Sequence, residues 1–247
     1  MNNLNFLVDV LKESPVFKTL EKNVKPGRTV CASGLSTINK SNIIYALCRI
    51  KGVTAFCLAS DEKEAQTLCN DLSCMGLRAY VYPVRDFNFL DFQSRSHEYE
   101  HARLKVLLKL LNHECDVAIA CVDAAAQLTV PRNVLEQSVI EFEEGRELSL
   151  EKATKALTLL GYERFDAVEG SGQFSLRGGI LDFFMPDSDY PVRCEFWGDE
   201  ITDLSYFDIE TQRRFKKADK IMLSPSTEIV IAVSYTHLRC RRTLGCR

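Results

Sequence analysis

No apolar run in this chain reaches the roughly 18 residues that a membrane-spanning helix requires. Its opening, MNNLNFLVDVLKESPVF, lacks the basic start and unbroken apolar core of a secretory signal. A cytoplasmic protein without membrane contact is therefore expected. None of the ten cysteines forms a C-x-x-C pair, and most sit inside apolar runs, as Cys57 does in VTAFCLAS and Cys121 in VAIACV. That placement argues for buried, reduced thiols rather than disulfides or a metal site. Histidine is sparse, four in all. His97 and His101 lie four apart on an expected helix, but no carboxylate elsewhere completes a ligand set, and no metal is expected.

Basic charge is short as well. The formal net charge is −3, and the last fifteen residues, VSYTHLRCRRTLGCR, hold four arginines and no acid, so the first 232 residues carry −7. An acidic body disfavours a free-standing duplex-binding module, whose grip needs cationic side chains against phosphates. There is no internal repeat and no low-complexity segment. With 247 residues, 46% of them hydrophobic, the chain is long enough for one large or two ordinary domains with real cores.

Most of the first half alternates strand and helix patterns. An amphipathic segment from Leu4 to Leu11 is stopped by Pro15. TVCAS, from Thr29, reads as a first strand and Ser41 to Ile50 as a helix, followed by the strand VTAFCLAS. Asp61 and Glu64 have capping-box spacing at the start of a helix that ends at Gly76. The strand AYVYP follows, then an irregular loop with Phe87, Phe89 and Phe92. Aromatic residues there, with Arg85 and Arg95, could stack on bases, but Asp86 and Asp91 make core packing the better account. A helix through Leu104, Leu107, Leu108 and Leu111 and the strand DVAIACV close the series. Such alternation implies a parallel sheet covered on both faces.

Gly34 to Ser41 has the phosphate-loop spacing G-x-x-x-x-G-K-[ST], with Asn39 in place of the second glycine. In a working loop, backbone N–H groups curl round the phosphates while Lys40 balances their charge and Ser41 ligates magnesium. A Cβ at position 39 would crowd that phosphate. DVAIACVDAAAQ offers only Asp123 as a magnesium-holding acid, with alanines where a catalytic carboxylate is needed. Gly34, Lys40 and Ser41 therefore read as a vestigial site, without catalysis or a working cofactor site.

After Pro131 the pattern becomes α+β, with a strand near Val139 to Phe142 and a helix capped at Ser149 that buries Ala153, Ala156, Leu157 and Leu160. From Gly172 to Arg214 short strands alternate: Phe174 and Leu176 against Ser175 and Arg177, then Val192, Cys194 and Phe196 against Arg193, Glu195 and Trp197. Gly178-Gly179, Met185-Pro186-Asp187 and Gly198-Asp199 supply the turns. A compact antiparallel meander is expected, with Arg177 projecting from its solvent face. Arg213-Arg214 and Lys216-Lys217 read as a solvated strand exit.

YERFDAVEGSGQFSLRGGILDFF, PVRCEFWGDEI and FDIETQR resemble the signature of the N-terminal region of bacterial transcription-repair coupling factors (Mfd), which is similar in turn to the excinuclease subunit UvrB. The resemblance covers about residues 5 to 231. Asn39 and the stretch VYPVRDFNFLDFQSRSHEYEHARL fit the coupling factor better than UvrB, whose nucleotide-binding loop keeps its second glycine; a UvrB-like fragment is the alternative. The resemblance implies a degenerate phosphate-loop domain of RecA or helicase type over residues 1–130 and an inserted UvrA-interaction domain over 131–217. A return segment would begin at 218–232, and a non-native, disordered tail would occupy 233–247. It also implies UvrA as partner, with Arg164, Phe174 and Arg177 at the contact, while Ser175 stands where UvrB has another arginine. RNA polymerase, DNA, ATP and magnesium would belong to domains of the longer protein, an ATP-dependent DNA translocase.

Overall fold

The structure, a computed structural model, describes residues 5–85 and 98–228. The aromatic loop through Phe87, Phe89 and Phe92, with Arg95, lies outside the described residues, as does the tail expected at 233–247. Two compact units emerge, one made of Met1–Asp86 and Asn112–Gln127, the other of Phe87–Leu111 and Leu128–Arg247. Among the described residues no helix is long and apolar enough to cross a membrane.

In the first unit, Pro15 ends one helix and starts another. Helix α1 spans Asn5–Glu13 and α2 spans Pro15–Asn23, with Ser14 as the N-cap of α2 and Pro15 in its first turn, where a missing N–H is harmless. Helix α3 (Thr37–Lys51) ends at Gly52. Helix α4 (Glu62–Cys74) is capped as its sequence implies: Asp61 accepts from the Glu64 N–H at 2.8 Å, and the Glu64 carboxylate reaches back to the Ser60 N–H at 2.9 Å. Strands β1 (Ala55–Ala59), β2 (Ala79–Tyr82) and β3 (Val117–Cys121) form a parallel sheet in the order β1-β3-β2. One core joins α3, α4 and the sheet through Tyr45, Ala46, Leu68, Leu72, Val117 and Ile119.

The sheet departs from expectation twice. Thr29 to Ser33 form no strand; all but the half-buried Val30 are exposed, and β propensity without an apolar face to dock does not hold a strand. Nor is the sheet covered on both faces throughout, because Phe56 and Leu58 of edge strand β1 are 60% and 61% exposed. Cys48, Cys69, Cys115 and Cys121 are buried free thiols, whereas Cys31 and Cys74 are exposed.

The second unit begins with helix α5 (Glu98–Leu111). Although α5 falls between β2 and β3 in sequence, Leu104 and Leu108 pack with Val130 and Leu135. The first-domain limit expected at 130 therefore changes: the division falls at Gln127, and α5 goes to the other side. Short helices α6 (Val122–Ala125), in the first unit, and α7 (Arg132–Gln137) precede β4 (Ile140–Glu143) and the Ser149-capped α8 (Leu150–Leu159). A six-stranded sheet follows, with β5 (Glu163–Arg164), β6 (Gln173–Arg177), β7 (Ile180–Phe183), β8 (Val192–Trp197), β9 (Glu200–Phe207) and β10 (Arg214–Lys217) in sequence order across it. All pairs are antiparallel except β5 with β6. Strand β11 (Lys220–Leu223) pairs back with β4, so residues 218–223 close this unit instead of opening a return segment.

The core of the second unit lies between α8 and one face of the six-stranded sheet. Ala153, Leu157, Phe174, Leu181, Phe183, Val192, Cys194 and Leu204 meet there, joined by Phe142, whose ring lies 5.2 Å from that of Phe183. Burial pushes the Cys194 thiol up to about 12, so it behaves as an inert core group. Gly179 is needed for close approach: a Cβ there would sit 2.8 Å from the Phe196 carbonyl oxygen. Gly179→Ala is expected to destabilise the chain by about 1–3 kcal/mol, the usual cost of overpacking, measured by urea unfolding; an unchanged midpoint would contradict the packing. Trp197, the single tryptophan, is 83% exposed. Its fluorescence should be as open to acrylamide in the native chain as in urea, and strong native protection would contradict its position.

Candidate functional site

Of the groups brought together in the first unit, the phosphate-loop residues are turned to protein partners. Gly34 is exposed with φ 76°, and Lys40 and Ser41 lie in the first turns of α3. Lys40 donates to Glu64 at 2.8 Å, and together with Ser60 it holds the Glu64 carboxyl down at about 2. Ser41 is fully buried, donating to Asp71 at 2.9 Å. A cavity of about 690 Å³ nearby is lined by apolar groups such as Leu11, Phe17, Leu20, Leu35 and Ile43, with Asn39, and neither Lys40 nor Ser41 lines it. Asp123 stands exposed in the first turn of α6.

Residues 97 to 101 spell H-E-x-x-H, a spacing that in zinc proteases puts two imidazoles on one helix face. His97 lies outside the described residues, while His101 Nε2 is 3.0 Å from the Ser226 hydroxyl. No group of three potential metal-holding side chains occurs among the described residues.

The six-stranded sheet has a polar outer face. Pleating turns Phe174, Leu181, Phe183, Val192 and Cys194 inward, which sends Ser175, Asp182, Arg193 and Ser205 outward, in register across four strands. At the centre of that face the Asp182 side chain is only 2% exposed. It accepts from Arg193 Nε at 2.7 Å and Nη2 at 2.8 Å, a bidentate pair, and from Arg177 Nη2 at 2.7 Å. Arg193 is fixed further: it donates to the Gln212 carbonyl and side-chain oxygens at 3.2 and 3.0 Å, and its guanidinium lies 4.3 Å over the Phe207 ring. Gln212 reaches this position through a tight turn in which Asp208 accepts from the Thr211 N–H and hydroxyl, both at 2.8 Å. Those bonds hold the Asp208 carboxyl below its ordinary range. The string FDIETQR thus has a physical role: its aromatic ring, turn and glutamine seat Arg193.

Arg177, at the end of β6, keeps half of its side chain in solvent while bonded to Asp182. Arg164 is exposed on edge strand β5, in register with Phe174. The two arginines therefore share the β5–β6 edge, about 10 Å apart along the strand direction from three residues of rise, but differ in parity. Arg177 alternates with Ser175 on the outer face, and Arg164 aligns with the inward-facing Phe174. Phe174 itself is 3% exposed in the core, so it supports the strand and is not a contact group. Ser175 is buried too, donating to the Asp166 carbonyl at 2.8 Å. Residue type alone draws no attention to Asp182, whereas Trp197, beside the Gly198-Asp199 turn, stands out as the lone tryptophan of the chain.

The UvrB interaction domain family matches residues 140–229, the stretch from β4 to just past β11. The transcription-repair-coupling factor of Bacillus subtilis (strain 168) is 28% identical over 224 residues, 90% of this chain and 19% of that protein. The protein of the same name from Staphylococcus aureus (strain USA300) is 24% identical over 230 residues, 92% of this chain and 20% of that protein. The one from Staphylococcus haemolyticus (strain JCSC1435) is 28% identical over 152 residues, 62% of this chain and 13% of that protein. The chain thus spans at most about a fifth of the length of these relatives. The second unit thus contains the stretch that matches the UvrB interaction domain family, and the chain as a whole resembles a part of the transcription-repair-coupling factors.

Proposed function

We propose that this chain is the recruitment module of a transcription-repair coupling factor, and that its second unit docks the repair protein UvrA. In the longer protein, an ATP-driven motor with its own magnesium-dependent site would act on DNA and on RNA polymerase stalled at a lesion. This module would then deliver the excision machinery by binding, without catalysis of its own. One observation carries the reading: within the stretch matched by the UvrB interaction domain, a six-stranded sheet displays Arg177, half exposed and already oriented by a buried carboxylate. Such an arginine offers its remaining N–H groups in a planar fork suited to an acidic partner. Arg164 on the same edge adds a second cation.

A nucleotide-binding role of UvrB type gains no support from the geometry, since it would have to release Lys40 from Glu64 and Ser41 from Asp71. The deciding experiment is a pull-down of purified UvrA by the wild-type chain, Arg164→Ala and Arg177→Ala. Arg177→Ala is expected to weaken capture by roughly tenfold or more, as truncation of an interface arginine anchor does, with thermal unfolding unchanged. Undiminished capture by both variants, with folding intact, would overturn the assignment.

A further inference from the structure

On the outer face of the sheet two guanidinium groups share the Asp182 carboxylate, while Arg214 is bonded to Glu195 and Asp203 further along it. Of the two arginines on Asp182, Arg193 cannot reach a partner. Its side chain is 12% exposed, bidentate on Asp182, capped by Gln212 and stacked on Phe207. Arg177 can, being 50% exposed and bonded through Nη2 alone. The Asp182 carboxylate, locked by Arg193 on one side, is thus the fixed point from which Arg177 reaches into solvent.

We propose that Asp182 is a positioning residue for partner docking: it holds the Arg177 guanidinium in one orientation, so that its outward N–H edge meets a carboxylate of the partner. This rests on the docking reading above and adds the residue that prepares the contact. A long side chain loses affinity when it must be ordered on binding, by roughly two- to tenfold for one immobilised group. Asp182 removes most of that loss beforehand. Arg193, Gln212 and Phe207 act one step further back, since they hold the Asp182 carboxylate in place. The same arrangement explains why position 177 calls for arginine: a lysine has no fork with which to bind Asp182 and the partner together.

A binding cycle with purified UvrA tests this, using the wild-type chain, Arg177→Ala, Asp182→Asn and the double variant, with circular dichroism and thermal unfolding on each. Asp182→Asn is expected to raise Kd by roughly two- to tenfold, the cost of ordering the released Arg177 side chain on binding. It should add nothing in the Arg177→Ala background, because coupled residues are non-additive. Because Asp182→Asn also strips the counter-charge from Arg193, a lower unfolding temperature is expected in any case; a purely structural role would weaken binding equally in both backgrounds. Wild-type affinity for Asp182→Asn, or costs that multiply in the double variant, would overturn the proposal while leaving the docking reading intact. Wild-type affinity for Arg177→Ala would overturn the proposal, and the docking reading would fall with it only if Arg164→Ala also bound UvrA as the wild type does. Should Asp182→Asn fail to fold, Arg177→Lys decides, since it leaves the Asp182–Arg193 pair in place. It is expected to bind about as weakly as Arg177→Ala, and wild-type affinity would overturn the proposal.

Discussion

A carboxylate shut away from water is tolerable only when its charge and lone pairs are met, and the outer face of the six-stranded sheet is built around that requirement at Asp182. Desolvating an ion costs several kcal/mol after relaxation, and removing one partner of a buried pair typically costs about 3–5 kcal/mol. Asp182 meets three guanidinium nitrogens within 2.8 Å. Those guanidiniums have to be held in turn, which is why Phe207 lies beneath Arg193 and the 208–212 turn closes over it. Removing Asp182 would strand Arg193 between an aromatic ring and a turn, with its charge uncompensated.

A second buried ion pair does comparable work elsewhere in the same unit. Arg103 of α5 donates to Glu228 at 2.7 Å, with side-chain exposures of 0% and 1%. Around it Glu100 accepts from the Thr227 hydroxyl and the Glu228 N–H, and His101 meets Ser226. Gly172 fits at the same junction only because it has no side chain, since a Cβ there would lie 2.5 Å from the Ser226 hydroxyl and 2.7 Å from the His101 ring. One turn of α5 thereby secures the segment that follows β11. The helix belongs to this unit for an electrostatic reason as much as an apolar one.

How far such features can be read from sequence depends on whether a local pattern causes them. Asp61 with Glu64, and Ser149, cap helices where spacing alone predicts caps, because a cap is settled within four residues. The meander is equally legible, since alternation and glycine turns fix its strands. TVCAS misleads because five residues of β propensity say nothing about whether a core awaits them. The allegiance of α5 is hidden for the same reason: its leucine stripe specifies an apolar face without naming the surface that receives it. At the candidate site, alternation correctly sends Ser175 and Arg193 to the outer face, but outer is not exposed. Long arginine side chains and a turn lie across that face and bury what pleating turned outward.

The difference in parity between Arg164 and Arg177 constrains any partner that uses both. A flat surface laid on the outer face would meet Arg177 but not a residue aligned with Phe174. To reach Arg164 as well, the partner has to pass around the edge at β5, where only two residues form the strand and little backbone is left open to pair. Phe165, the next residue, is 44% exposed at that same edge. On the docking reading proposed above, a partner that used both arginines would need a ridge or loop with acid placed toward Arg164 and Arg177, because Glu163 beside Arg164 would oppose acid elsewhere along the edge. Such a shape would draw specificity from wrapping the edge as well as from charge, because an acidic patch that could not straddle β5 would gain only one of the two arginines.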